Sequence, residues 1–422
     1  MDNDYIEIPQ HIGEKKIDVA NKETPFLHKL FMIVLIYLTD SLLFNFNSVS
    51  YMTTIAKALV VALAITSTFY CLFKNHFKIN KGGFALLLVC IYVLLEMLVH
   101  NEIRGGYISK ISVFLLGFSL ISLLGTKKVA SLYVDSIFFI SLISIVVFPF
   151  QFFIARLSIF PIITNTAGRS FRCLLFTNVS TLDYLRNYGP FTEPSRFQAF
   201  ICMGLVLLLF LPQEYLHKKN FVRIAVLILA LVTTSSATGF IAVSIIITAY
   251  VISDRVSLSI GKRIVIILVV FVIVAVLIRF STTFNDALLK IQLQEGSESF
   301  KVRMNSILGN LEIIKRHPLF GTGFDNYNEE YLLAIRGLSV SRSHVSTNTF
   351  LLNFAKFGIP VGLYYITNLY QSLRSYNSRL ISIALLLGAF FAMSGISLVD
   401  SIIANMFIFM NSEKTEGILY RN

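Results

Sequence analysis

The sequence contains no tryptophan and only four cysteines, and charged residues make up only 14% of its 422 positions. Soluble proteins carry about 25% charged residues, so this charge content is low for a chain that folds in water. Cys71, Cys90 and Cys202 lie within apolar runs, whereas Cys173 stands alone in a polar stretch. This distribution predicts neither a disulfide nor a cysteine-based metal site.

Several motifs of soluble enzymes are also missing. We find no Walker loop, no dinucleotide-binding loop and no Gly-x-Ser-x-Gly elbow, and no histidines, cysteines and acids at metal-ligand spacing. We therefore expect neither a cofactor nor a metal. Residues 1–28 lack the short apolar core and small-residue cleavage site of a signal peptide, so they are expected to form a soluble tail.

The chain contains many long apolar runs. Hydrophobic residues make up 55% of it, the mean hydropathy is +0.72, and there are 38 phenylalanines. Runs long enough to span a bilayer predict an all-α, polytopic integral membrane protein with about 12 transmembrane helices. The predicted helices begin near Lys29, Ile55, Gly83, Tyr107, Val129, Arg196, Phe221, Thr238, Lys262, Ser346, Leu380 and Ile396. Residues 29–411 are expected to form one transmembrane domain, followed by a cytoplasmic tail at 412–422.

Basic residues are concentrated in alternate connections between these runs. They are Lys74, Lys78, Lys81, Lys127, Lys128, Lys218, Lys219, Arg223, Arg255, Lys262, Arg263, Arg374 and Arg379. Lysine and arginine beside spans mark the cytoplasmic side, so the net charge of +12 indicates orientation rather than a nucleic-acid partner. Both termini are then expected in the cytoplasm. The two long polar loops, 155–195 and 281–345, are expected on the outer face of the membrane.

The first long loop and the helix start that follows it contain arginine but no lysine. These arginines are Arg156, Arg169, Arg172, Arg186 and Arg196. A guanidinium offers a planar fork of donors that suits phosphate, and long loops cross the membrane regardless of charge. Two interpretations stay open. The arginines bind a phosphate-containing substrate, or they contact lipid headgroups and pair with Asp183 and Glu193.

The second long loop is predicted to contain an amphipathic helix lying on the membrane or on the spans. Its apolar residues recur at helical spacing at Met304, Ile307, Leu308, Leu311 and Ile314. Pro318 ends the helix at His317, and Gly321 and Gly323 allow a tight turn. This turn either contributes to a ligand site or merely redirects the chain toward the next span.

Three predicted spans begin on the outer side with polar residues, in "FTEPSRF", "TSSATGF" and "SRSHVSTNTF". Helix starts carry unpaired amide groups and the positive end of the helix dipole. If the three starts converge, they form an anion site, although no sequence argument shows that they are neighbours. His344 lies just ahead of the third start, beside Arg342, which makes it a candidate general base or ligand donor.

At this point the residues resemble a known family. "HPLFGTGFDNY" (317–327), preceded by Arg303, and "STNTFLLNFAKFGIPVGLYY" (346–365) are similar to the outer loop and following helix of the bacterial O-antigen polymerase and O-antigen ligase superfamily. "GPFTEPSRFQAF" and "LVTTSSATGF" resemble segments around preceding spans of that family. Many relatives, ligases among them, carry His-Asn where this chain has Thr347-Asn348, and Ser-Arg where it has Ser236-Ala237. Both departures favour a Wzy-type polymerase over a ligase.

The resemblance implies a glycosyltransferase that polymerises undecaprenyl-diphosphate-linked oligosaccharide repeat units into O-antigen or capsular polysaccharide at the outer face of the cytoplasmic membrane. The implied partners are this lipid-linked donor and acceptor, the bilayer and a chain-length regulator protein. A ligase acting on lipid A core or protein, and a lipid-linked sugar transporter, stay open as alternatives. The candidate base is His344 or Glu193; diphosphate-binding candidates are Arg169, Arg172, Arg186, Arg196 and Arg303; possible sugar-binding residues are His317, Asp325, Tyr327 and Asn348.

Overall fold

The computed structural model describes residues 26–74, 81–102, 105–183, 185–211, 220–291, 298–336 and 346–411. Most of the expected N-terminal tail and all of the expected C-terminal tail lie outside the described residues. His344 and Arg342 lie outside them as well. The expected division of the chain into tails and one transmembrane domain therefore stays a prediction.

The described residues are predominantly helical, which confirms the all-α class. The helices are α1 (Phe26–Asp40), α2 (Ser50–Phe73), α3 (Lys81–Val99), α4 (Gly105–Leu124), α5 (Thr126–Val147), α6 (Gln151–Arg156), α7 (Pro194–Phe210), α8 (Asn220–Thr233), α9 (Ala237–Ile252), α10 (Ile260–Ile291), α11 (Glu298–Arg316), α12 (Tyr327–Ile335), α13 (Thr349–Arg374), α14 (Arg379–Ala392) and α15 (Ile402–Phe407). Every predicted span start lies within six residues of one of these helix starts, but the helix that follows the predicted start at Ile396, α15, has only six residues and is too short to be a span.

Among the described residues, six helical stretches are long and apolar enough to cross a membrane. They contain α2, α3, α4, α5, α10 and α13. The apolar helices α7, α8, α9 and α14 are shorter, at 10–17 residues. The chain is thus a membrane protein with several spanning helices, and the number of twelve crossings stays a prediction.

The spanning helices differ in how much of their surface the protein covers. Helix α4 packs against α2, α3, α5 and α15, and 67% of the residues in its apolar stretch are buried. In the apolar stretch of α10, only 6% of the residues are buried. A helix that is apolar on every side is stable in either place, because lipid and protein interior both exclude water. Helix α4 therefore belongs to the core, and residues 260–280 of α10 lie at the outside of the bundle.

The first long loop contains a small sheet that the all-α expectation did not include. Strands β1 (Ile162–Thr164), β2 (Ser170–Leu174) and β3 (Thr177–Ser180) pair antiparallel in the order β1-β2-β3. Side chains along β2 alternate between buried and half-buried, as expected for a strand with one covered face. The sheet is joined to the connection between α1 and α2 by a bridge between Asn47 and Asn165.

Helix α13 is interrupted by a kink at Gly358, where φ is +75°. A Cβ atom at this position would lie 1.5 Å from the carbonyl oxygen of Leu319. Only glycine combines a positive φ with so close an approach of another backbone. The segment that follows α11 packs against this kink.

Candidate functional site

The segment after α14, residues 393–398, holds the start of α13. The Thr349 amide donates to the carbonyl oxygen of Met393 at 3.2 Å, and the Thr349 hydroxyl donates to that of Ile396 at 2.7 Å. Asn348 forms a parallel bridge with Ile396, and its side-chain oxygen caps the helix. The "TNT" sequence therefore supplies both a helix cap and attachment to the neighbouring segment.

The same segment contacts the starts of α7 and α9. A Cβ atom built on Gly395 would lie 3.4 Å from Cβ of Ser195 and 3.5 Å from Oγ1 of Thr238. Ser195 and Thr238 are each the second residue of their helices. The starts of α7, α9 and α13 therefore converge around residues 393–398. Their amide groups and dipoles together favour an anion. We call this side of the bundle the loop side, since both long loops reach it.

Arg303, near the start of α11, lies at this convergence point, with Nη2 3.5 Å from the Cβ position built on Gly395. Burial lowers the pKa of its guanidinium to about 10, repulsion from Arg186 acts in the same direction, and attraction by Glu193 opposes both. Arg303 still carries its charge at neutral pH. With the described residues it makes no hydrogen bond and no ion pair. Its donors are therefore not used by this part of the fold.

Arg186 reaches the same site from the first long loop. Its Nε donates to the carbonyl oxygen of Thr234 at 3.2 Å, and the next residue, Asn187, donates its amide to that of Thr233 at 3.0 Å. A longer contact of 3.8 Å joins Arg186 to Asp183. These bonds fasten the end of the loop to the turn between α8 and α9, so the two long loops bring two arginines together.

Glu193 precedes α7, whose first residue is Pro194 as the sequence predicts. Its side chain is exposed, and the Ser195 hydroxyl donates to Oε2 at 3.2 Å. It is close enough to Arg303 to attract the guanidinium and to raise its pKa against the effect of burial. An exposed carboxylate beside a positively charged, anion-binding site is suitably placed to accept a proton from a hydroxyl group.

Two other arginines of the first loop belong to the sheet. Arg169 is exposed in the turn between β1 and β2, and its amide donates to Oδ1 of Asn165 at 2.8 Å. Arg172 lies on β2 and donates from Nη1 to the carbonyl oxygen of Phe160 at 2.9 Å. No contact described in the structure joins either guanidinium to Arg303.

Arg196 forms a buried ion pair. Its Nη1 lies 2.8 Å from Oδ1 of Asp40, at the end of α1, and its Nη2 donates to the carbonyl oxygen of Ser397 at 3.1 Å. The guanidinium also covers the ring of Phe46, with its carbon 4.2 Å from the ring centroid. Both terminal nitrogens are thus used in holding α1, α7 and the 393–398 segment together.

The polar turn after α11 is docked on the kink of α13. The amides of Thr322 and Gly323 donate to carbonyl oxygens of α13 at 2.9 and 3.1 Å. The buried carboxylate of Glu102 accepts the amides of Phe324 and Asp325 at 3.0 and 3.2 Å. These bonds agree with the interpretation in which the turn redirects and fixes the chain.

The remaining predicted sugar-binding residues lie in different surroundings. Nε2 of His317 is 3.7 Å from a carboxylate oxygen of Glu330, and both side chains are partly exposed. Tyr327 is buried, and its hydroxyl donates to Oδ1 of Asn310 at 2.7 Å. Asn348 alone of the four lies at the start of α13, beside the convergent helix starts.

Sequence reasoning missed five residues that build this region: Asp40, Glu102, Ser195, Thr238 and Gly395. Asp40 and Glu102 each follow an apolar run, where an acid that ends a span is easily taken for a solvated loop residue. Their partners are more than 150 positions away in the chain. Ser195 and Thr238 stood inside the quoted helix starts and could have been singled out as hydroxyl donors.

Residues 222–366 match a family model described as O-antigen ligase, which confirms the resemblance to the O-antigen ligase and polymerase superfamily. The match covers α8 to most of α13 and includes Thr238, Arg303 and Asn348. Arg186 and Glu193 lie ahead of it. No curated protein matches the chain.

Proposed function

We propose that this chain, a member of the O-antigen ligase and polymerase superfamily, is the polymerase of oligosaccharide repeat units linked to undecaprenyl diphosphate. The observation that carries the proposal is the meeting of Arg303, Arg186 and Glu193 at three helix starts on the loop side of a membrane protein. The substrate has a lipid tail, a diphosphate and a glycan. The bilayer, the cationic site and the polar loop surface are suited to these three parts.

The proposed reaction is a glycosyl transfer between two lipid-linked glycans. A hydroxyl oxygen of the acceptor forms a bond to the anomeric carbon of the donor, while the bond from that carbon to the diphosphate oxygen breaks with its electron pair. The hydroxyl proton passes to a base, and undecaprenyl diphosphate leaves. No oxidant, metal or nucleotide enters the balance.

Stabilising the leaving group is the larger demand on the protein. Negative charge grows on the bridging oxygen as the bond breaks, and Arg303 and Arg186 supply donors whose charge persists at neutral pH. The amide groups at the convergent helix starts add fixed positive potential. One such preorganised donor lowers the barrier by about 3 kcal/mol.

Glu193 is the proposed base among the described residues, because it is exposed and shares the space in front of Arg303. His344, which lies outside the described residues, is the alternative base. Arg169 and Arg172 are proposed to contact the glycan or lipid headgroups rather than the diphosphate, since they lie on the sheet.

A ligase that transfers the glycan to lipid A core or protein is the second candidate, because the matching family model is described as O-antigen ligase. The deciding experiment incubates purified protein with one synthetic lipid-linked repeat unit, with and without an added lipid or protein acceptor. A ladder of products without added acceptor supports the polymerase. Transfer only to the added acceptor supports the ligase, and the absence of any covalent product contradicts both.

The proposal also requires the loop side to face outward from the cytoplasmic membrane. Ala167 and Asn328 are exposed on the loop side, and Ser257 is exposed in the α9–α10 connection. All four native cysteines are buried, so a single introduced cysteine should dominate labelling. In intact cells, a membrane-impermeant thiol reagent should label Ala167→Cys and Asn328→Cys but not Ser257→Cys. The reverse pattern would contradict the orientation.

A further inference from the structure

Helix α11 differs from an amphipathic helix of a soluble protein, because its buried face is polar except for Ile313 and its exposed face carries an apolar row. Its buried face carries the polar residues Ser306 and Asn310. Its outward face carries Met304, Leu308 and Leu311, which are 40%, 42% and 49% exposed. These three residues, called the α11 stripe below, recur at helical spacing and form one continuous row. Polar residues inside and apolar residues outside indicate that the outer surroundings of this helix are not water.

The polar side chains on the buried face of α11 form hydrogen bonds within the protein. The hydroxyl groups of Ser306 and Ser346 are 2.9 Å apart, and the side-chain amide of Asn310 donates to Ser346 at 2.7 Å. The Tyr327 hydroxyl donates to the side-chain oxygen of Asn310 at 2.7 Å. Because these buried groups satisfy one another, α11 cannot turn its polar face outward without leaving several of them unpaired. The α11 stripe is therefore held outward by the fold.

The segment that follows α11 lies beside the loop-side end of α3. The ring of Phe320 stacks on Tyr92, with centroids 5.5 Å apart, and its carbonyl oxygen is 3.0 Å from Nε2 of His100. Tyr92 lies on α3 and His100 directly follows its last residue, Val99, so Phe320 lies beside the last two turns of that apolar helix. The neighbouring Leu319 is 64% exposed.

The helix before α11 is exposed along the stretch that is long and apolar enough to span a membrane. Only 6% of the apolar window of α10, residues 260–280, is buried, and α11 begins seven positions after α10 ends. Lys315 and Arg316, at the end of α11, are exposed beside the stripe. Basic residues next to an apolar helix face are typical of helices that lie in the interface of a membrane with anionic headgroups.

We infer that the α11 stripe is embedded in the acyl-chain boundary of the lipid leaflet on the loop side. The occupant of this surface is membrane lipid, because α11 follows the exposed apolar helix α10 in the chain and leads into a segment that packs beside the last turns of α3. The embedded helix fixes the height of Arg303, which directly precedes Met304, at the level of lipid phosphate groups. This inference does not depend on which glycan reaction the protein catalyses.

The absence of tryptophan from the chain makes a direct test possible. Leu308→Trp, in otherwise unchanged full-length protein, gives a single fluorescent reporter on the stripe. Glu329→Trp, on an exposed polar position of α12, is the matched control. Both proteins are reconstituted in phosphatidylcholine vesicles with and without bromine atoms on the acyl chains, which quench tryptophan on contact. Leu311→Trp repeats the measurement one turn along the helix. Folding of each variant is checked by circular dichroism and size-exclusion chromatography.

We expect brominated lipid to quench the fluorescence of Leu308→Trp and Leu311→Trp severalfold more strongly than that of Glu329→Trp, and aqueous iodide to show the opposite order. Quenching of all three variants by iodide alone would overturn the inference, because the stripe would then face water. A blue-shifted emission from Leu308→Trp that neither quencher affects would also overturn it, since another protein copy would cover the stripe. Failure of the glycan assay would leave this measurement unaffected.

Discussion

Arg196 and Arg303 lie on the same side of the bundle, and the sequence suggests the same role for both. The structure separates them. Arg196 is neutralised by Asp40 at 2.8 Å and donates its other terminal nitrogen to Ser397. Arg303 makes no hydrogen bond or ion pair with the described residues, although burial is the main effect on its pKa. One guanidinium is used by the fold, and the donors of the other are not used by the described residues.

The difference shows that an arginine's role depends on the acids within its reach. Asp40 also accepts hydrogen bonds from Thr39 and Ser401 at 2.7 and 2.8 Å, so its pair with Arg196 joins α1, α7 and the segment before α15. Glu193 acts on Arg303 only at longer range, and it is exposed to solvent. The Asp40–Arg196 pair therefore stabilises the surroundings in which Arg303 is held.

Removing the acid of the closed pair should have the largest effect. Asp40→Ala leaves the buried charge of Arg196 unpaired, which costs about 3–5 kcal/mol of stability. We expect a sharply reduced membrane level and a lower unfolding midpoint in detergent. Glu312→Ala is the control, because it breaks a partly exposed pair with Arg316 that contributes at most about 1 kcal/mol. Equal loss in the two variants would show that the Asp40–Arg196 pair is not structural.

The open arginine should show the converse behaviour. Arg303→Lys keeps the charge but loses the planar fork, so we expect polymerisation to fall by about 10²- to 10³-fold with an unchanged membrane level. The rate of ladder formation by purified protein measures this. Arg316→Lys, whose guanidinium pairs with Glu312 at the other end of α11, is the control and should retain most activity. A normal rate in Arg303→Lys would remove the main support for the diphosphate site.

A further test decides whether Glu193 or His344 is the base. Loss of a positioned base lowers the rate by about 10²-fold or more. If Glu193 is the base, Glu193→Gln shows this loss and His344→Ala does not. If His344 is the base, the order is reversed, and activity falls as the pH drops through the ordinary imidazole pKa of about 6.5, because the base must be deprotonated. Nearly full activity in both variants would exclude both assignments.

The smallest effect is expected at the docked turn. Glu102→Gln weakens the bonds that a charged carboxylate makes with two backbone amides, which costs up to about 2 kcal/mol. Because these bonds lie in the docked turn and not in the Arg303 site, stability should decrease while the rate per folded molecule is unchanged. Thermal unfolding in detergent and the ladder assay separate the two readouts. A selective loss of rate would extend the active region to the turn.

Much of the fold could be predicted from local sequence. Apolar runs located the helices, Pro194 marked the first residue of α7, and Pro318 ended α11 as expected. The three-stranded sheet was missed because its strands are only three to five residues long. Strands of that length leave too little alternation to be distinguished from a polar loop.

The candidate site was predictable in kind but not in membership. Residue type and loop position selected a set of arginines, and the polar helix starts suggested an anion site. Whether those starts were neighbours depended on the segment 393–398, where Gly395 lies close to α7, α9 and Arg303. Its sequence contains no charged residue and gave no signal of its own.

The sequence by itself determined that the chain is a helical membrane protein, where its helices begin, and which family it resembles, because hydrophobicity, helix capping and short motifs are local properties. Only the tertiary structure decided which charges meet. Asp40 reaches Arg196 across 156 positions, and Glu102 reaches the turn at Phe324 across 222. Such pairings follow from how the helices pack against one another. A buried charged group must find an opposite charge or hydrogen-bond donors, but its own neighbourhood in the chain does not specify which ones.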